Sequence, residues 1–215
     1  MKKITENIDL KEIEKKTWRS TLEDGILDIY FGISVLGIGV GMSLGPILPD
    51  PLDIFIPFIF IAIGLFFFLT AKKLIVQPRL GVVKFGYKRK GRKIKILIVL
   101  SINLIVLIIL FVIRFYNPEL SLEFPGYLDG LIIGLLFITA PVCFAGYFID
   151  YPRFYFIGLL VGISFFLSDI FSLFIPEPFD TLTVFGIVST IIISLGIVSL
   201  VKFIKKYPMP KEEVD

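Results

Sequence analysis

Histidine is absent from all 215 residues. That removes the commonest general base, the commonest zinc ligand and the usual near-neutral pH switch. Only one cysteine is present, Cys143, so no intramolecular disulfide can form. No serine or cysteine nucleophile has a histidine to activate it. A third scarcity is local: residues 72–95, KKLIVQPRLGVVKFGYKRKGRKIK, contain ten basic residues and not one acid. Nor does the N-terminus have the form of a cleavable signal peptide. Its first 20 residues mix lysines with glutamates, and the first apolar run is too long and lacks a processing site.

What is abundant is apolar. Hydrophobic residues make up 56% of the chain, 23 of them phenylalanine, and the mean hydropathy is +0.89. A soluble domain of this size cannot hide that much apolar surface, so the composition points to a bilayer as solvent. The apolar runs are continuous and each roughly 20 residues long, which fits membrane helices and excludes the shorter alternating strands of a membrane β-barrel.

The fold expected is all-α, a polytopic bundle of six membrane helices within residues 21–204, at about 21–45, 53–71, 95–115, 127–148, 154–174 and 182–204. Ser20-Thr21-Leu22-Glu23 has the form of a capping box opening the first helix. Pro46, Pro49 and Pro51 close it. The basic stretch 72–95 is the loop between helices two and three, with Gln77-Pro78-Arg79-Leu80-Gly81 as a turn between short β-like runs, LIV and VVKF. Pro141 predicts a kink in helix four. Residues 8–20 read as an amphipathic helix lying on the membrane surface, or as a solvated leader. A polar tail occupies 205–215.

Charge sets the orientation. With the N-terminus inside, 21 of the 22 basic residues fall on the cytoplasmic side and only Arg114 lies near the outer face. The positive-inside rule asks for that bias, so both termini are expected in the cytoplasm and the protein in the cell membrane. Acids collect at the other ends: Asp50, Asp53, Glu119, Glu123, Asp129, Asp169, Glu177 and Asp180. Such a rim would attract cations, although orientation is largely indifferent to acids on that side. The openings Glu23-Asp24-Gly25 and Leu128-Asp129-Gly130 hint at an inverted repeat of two three-helix halves.

The residues that could carry function are few. Thr21, Asp24, Gly25, Asp28, Gly32, Gly39 and Ser43 share one side of helix one. Gly37, Gly41 and Gly45 form a second stripe of small residues, suited to close packing inside the bundle or to a homo-oligomer seam. Asp24 reads as an N-terminal acid still touching headgroup water. Asp28, two turns into the expected helix, is costly in a membrane unless it pairs, protonates or meets water. In helix five Gly158, Gly162, Asp169 and Ser172 share a face, with Arg114 a candidate partner for Asp169. Asp28, Asp169 and Asp129 are thus the candidate ion or proton residues. Asn103, Ser189, Thr190 and Ser194 can make interhelical hydrogen bonds. Lys88, Arg89, Lys90, Arg92 and Lys93 form a cluster of the kind that binds anionic lipid headgroups, or one that only sets topology. Nucleic acid is not an expected partner, because no folded reader accompanies the charge. No metal site, cofactor or enzymatic activity is indicated: Asp28 and Asp169 belong to opposite leaflets, and neither Asp-Gly pair continues into a phosphotransferase motif.

Four segments in order, TLEDGILDIYFG at 21–32, QPRLGVVKF at 77–85, YPRFYFIGLL at 151–160 and IKKYPMP at 204–210, resemble an uncharacterised family of small prokaryotic multi-helix membrane proteins. The resemblance implies a six-helix layout and marks Asp24, Gly25, Asp28, Pro78, Arg79, Gly81 and Arg153 as matching positions. It brings no activity with it. Two functions remain in view: transport or sensing of a cation or proton through intramembrane carboxylates, and binding of anionic lipid or a cytoplasmic partner by the basic loop and N-terminal helix.

Overall fold

The computed structural model describes residues 22–49, 52–80, 87–116 and 126–209, with the backbone alone at 52–54, 87–93, 107, 110–116, 126, 127 and 129. All regular structure among them is helical. We number the helices α1 (Ile26–Leu44), α2 (Leu52–Ala71, extended through Lys72–Val76 and Gln77–Leu80), α3 (Tyr87–Tyr116), α4 (Gly126–Ile133, Gly134–Thr139 and Ala140–Ile149 in succession), α5 (Arg153–Phe171) and α6 (Phe179–Lys206). Five are long and apolar enough to cross a membrane, and in α3 the described apolar stretch is Ile94–Val106. Helices are what such sequences must form, since hydrocarbon offers backbone N–H and C=O groups no other partner.

Several boundaries differ from those expected. Helix α1 starts at Ile26 and not near Thr21. The chain enters through Gly25 at φ 75°, a left-handed conformation that favours glycine, and the Asp24 carboxylate accepts the Ile26 N–H at 3.0 Å. Gly25 is the N-cap residue, and the Asp24 side chain takes the first helical N–H from the position before it; Ser20 and Thr21 lie outside the described residues, as do the N-terminal segment 8–20 and the tail from 210. One consequence is that Asp28 sits in the first turn of α1 and not two turns in. Helix α5 ends at Phe171 and α6 begins at Phe179, each by a few residues off the expected limits.

The hairpin does not form. Residues 72–80 continue α2, first as a π-helical turn, Lys72–Val76, and then as a last α-turn, Gln77–Leu80. The second run, VVKF, lies outside the described residues. Helix α3 starts already at Tyr87, so the backbone of residues 88–93 is helical and not part of a loop. The same device recurs in α4, where the π turn Gly134–Thr139 comes just before Pro141. In both places the wider turn ends two residues ahead of a proline, whose ring would crowd the carbonyl four residues back and supplies no N–H to it. In α4 that carbonyl belongs to Phe137, and Asn103 Nδ2 of α3 donates to it at 3.3 Å. Pro78 thus lies within a helix and not in the expected turn, the wider π turn before it accommodating the ring.

Helix α1 is central, packed between α6 and α2; α5 lies on α6 and α4, and α3 rests on the second half of α4. Small residues make the close approaches. A Cβ on Gly32 would run into Ile193 of α6, one on Gly39 into Phe185, and one on Gly37 into Phe60 of α2. Gly37 of the second stripe thus faces a helix of its own chain. Gly158 abuts Val142, and Gly162 meets Gly134 and Thr139 of α4. Thr139 Oγ1 donates to the Gly158 carbonyl at 2.8 Å. Ser189 and Thr190 bond back to Gly186 of their own helix and do not reach across.

Candidate functional site

Two ion pairs with buried carboxylates gather at one end of the bundle, where α1 and α5 begin and α2 and α6 end. The first centres on Asp28, 1% exposed. One carboxylate oxygen accepts the Tyr151 hydroxyl at 2.5 Å and the other accepts Arg153 Nη1 at 2.8 Å. The same Nη1 donates to Ser199 Oγ of α6 at 2.7 Å. Three helices and the α4–α5 turn are thereby tied through one carboxylate. A lone carboxylate here would carry a desolvation cost of several kcal/mol, which the guanidinium and phenol offset.

The turn is built to aim those two donors. Asp150 adopts φ 61° and ψ 40° at the C-terminus of α4, a left-handed residue that reverses the chain. Tyr151 N–H then bonds back to the Gly146 carbonyl at 2.9 Å. Tyr151 is buried, and its ring packs edge-on against Phe154. Burial, and then the neighbouring Asp28 carboxylate, push the phenol well above its ordinary range, with Arg153 opposing. Tyr151 is therefore a neutral donor at any physiological pH.

A second pair lies alongside. Asp24 is completely buried and accepts a hydrogen bond from the Lys72 ammonium, which also stands 5.6 Å from the centre of the Phe68 ring. Burial raises the Asp24 carboxyl pKa, and Lys72 counteracts the rise. The expectation that Asp24 touches headgroup water is thus corrected: the π turn carries the end of α2 over the start of α1, and Lys72 takes water's place.

Two clefts open on either side of Arg153. One, of about 430 Å³, is lined by polar residues that include Glu23, Asp150, Arg153, Ser199, Lys202 and Lys206. The other, of about 370 Å³, runs between α5 and α6, with Asp28, Arg153 and Lys202 at one end and Phe156, Ile157, Ile192, Leu195 and Val198 along its walls. Arg153, Ser199 and Lys202 belong to both. The Arg153 side chain is 42% exposed although Asp28 is not. Nη1 serves Asp28 and Ser199 and the guanidinium also meets the Tyr151 side chain; with five N–H groups it keeps others for a ligand.

The expected residues are thus divided. Asp28 is in the site. Asp169 is at the far end of α5, 16 residues from Arg153 and roughly 24 Å along the axis. There its Oδ2 accepts the Gly130 N–H at 3.1 Å, joining α5 to α4. The side chains of Asp129, Arg114, Lys88, Arg89, Lys90, Arg92 and Lys93 lie outside the described residues. Among the described residues, no three acidic or cysteine side chains gather to hold a metal. Tyr151, Ser199, Lys202 and Lys72 were not singled out by sequence. The one available signal was Arg153, an isolated cation in a short turn between two apolar spans.

Comparison of the chain with protein-family models, with curated proteins and with solved structures finds no match.

Proposed function

We propose that this chain is a six-span protein of the cell membrane, with both termini cytoplasmic, and that it recognises an anionic group at the cleft around Arg153. The orientation rests on the distribution of basic residues, 21 of 22 on one side in a six-span layout. Lys72, Arg79, Arg153, Lys202, Lys205 and Lys206 belong to that side.

The observation that carries the recognition is the half-exposed Arg153 guanidinium, held by the buried Asp28 and shared by two clefts with Lys202. Arginine presents a planar fork that suits phosphate and carboxylate. Orienting it beforehand through Asp28, Tyr151 and Ser199 lowers the entropy lost on binding. The role proposed is binding: among the described residues lining the clefts, the Ser199 hydroxyl donates to the Leu195 carbonyl and not to a base.

Cation or proton movement through Asp28 and Asp169 draws less support. Both Asp28 oxygens are engaged, and Asp169 lies toward the opposite end with a different partner.

Thermal unfolding in neutral detergent tests the reading, because a ligand that binds only the folded state raises its apparent stability. Inorganic phosphate is expected to raise the midpoint at low ionic strength, with the response diminished in the exposed-residue variant Lys202→Gln. Stabilisation by a metal cation instead, abolished by Asp28→Asn, would overturn it in favour of a cation site.

A further inference from the structure

The cleft between α5 and α6 has two chemically different parts in one continuous space. At one end stand Arg153 and Lys202, with Asp28 behind the arginine; the walls beyond them are apolar. Phe156, Leu195 and Val198 are 51%, 46% and 51% exposed and belong to segments apolar and long enough to cross a membrane. What touches these side chains in a bilayer is acyl chain.

The dimensions agree. From Lys202 to Ile192 is ten residues, or roughly 15 Å along α6, and one leaflet is half of a hydrocarbon core about 30 Å thick. Lys202 stands where a long basic side chain reaches the headgroup layer, and Ile192 near the depth at which an acyl chain ends. The charges lining this groove are Asp28, Arg153 and Lys202. Asp28 is matched by Arg153, and Lys202 is the further charge on the groove itself, with Glu23 and Asp150 lining the adjoining cleft; an anionic headgroup therefore meets Arg153 and Lys202 on the groove side.

We infer that the groove between α5 and α6 is a site for an anionic lipid of the bilayer, its phosphate at Arg153 and Lys202 and one acyl chain along the exposed walls Phe156, Leu195 and Val198, above the buried Ile157 and Ile192. The inference deepens the anion-binding reading and rests on it. It adds that the ligand enters sideways from the membrane and that much of its affinity comes from the chain. Burying apolar surface in a groove contributes in proportion to area, whereas a lone phosphate must rely on charge that salt screens.

Native mass spectrometry from neutral detergent, with phosphatidylglycerol and phosphatidylcholine in competition, tests it on the full chain. Phosphatidylglycerol is expected to be retained at least tenfold over phosphatidylcholine. Lys202→Gln is expected to reduce that preference. Val198→Trp, at an exposed position on the groove wall, fills the space and is expected to cut phosphatidylglycerol retention about tenfold while the thermal response to inorganic phosphate stays unchanged. Equal retention of the two lipids, or Val198→Trp that retains phosphatidylglycerol as the wild type does, would overturn the lipid groove. The anion-binding reading would then stand or fall separately, on the phosphate response of the wild-type protein.

Discussion

Asp28 illustrates why a buried carboxylate cannot be understood alone. Its two oxygens take one neutral and one charged donor, Tyr151 and Arg153, so its charge is compensated where water is excluded. Removing one member is costly because the other stays buried and unpaired. Arg153→Met is expected to lower stability by about 3 kcal/mol, toward the low end for buried pairs because the guanidinium is half-exposed. The double variant Asp28→Asn/Arg153→Met should lose less than the sum of the two single losses, and denaturant unfolding of all four proteins in detergent measures the difference. Strict additivity would mean that the two side chains do not act as a pair. Asp28 was legible from sequence as a carboxylate in need of a partner. Its partners were not, because they are more than 120 positions away and contact depends on how α5 sits beside α1.

At the level of the helices, glycines decide which faces meet. Gly25 lies against the Gly196 carbonyl and Ser199 Cβ, and its φ of 75° disfavours any side chain. Gly25→Ala is therefore expected to cost roughly 2 kcal/mol through backbone strain, with steric overlap adding to it. Gly186 of α6 is the contrast: a Cβ there meets nothing within 4 Å. Gly186→Ala should be neutral or stabilising by up to about 1 kcal/mol, because alanine loses less freedom in a helix. Thermal unfolding midpoints compare the two, and equal losses would show that α1 and α6 do not approach closely at Gly25. The sequence marked helix α1 as a central packing element through its small residues. It misled at Pro78, where a turn was expected, because local propensity carries no account of a helix that accommodates proline through a π turn.

For the whole molecule, the proposed topology makes a direct prediction. With Cys143 replaced by alanine, single cysteines at Asp150 and Lys206 should react with an impermeant thiol reagent from the same side of the membrane. Cysteines at Leu173 or Glu177, beyond the end of α5, should react only from the other. Labelling in intact cells and in inverted vesicles distinguishes the sides; reaction of positions 150 and 206 from opposite sides would rule out the arrangement.

Composition and run length alone determined that the chain is helical with segments able to cross a membrane, because 20 apolar residues in hydrocarbon have only one way to satisfy their own backbone. Charge distribution, likewise a property of the sequence, led to the proposed orientation. The tertiary structure decided the rest: that α2 runs on past Lys72 to meet Asp24, that Tyr151 and Arg153 turn inward to Asp28, and that α5 and α6 leave a groove between them. Each of these depends on side chains far apart in sequence meeting in space, and hydropathy, which averages over neighbours along the chain, carries no information about such meetings.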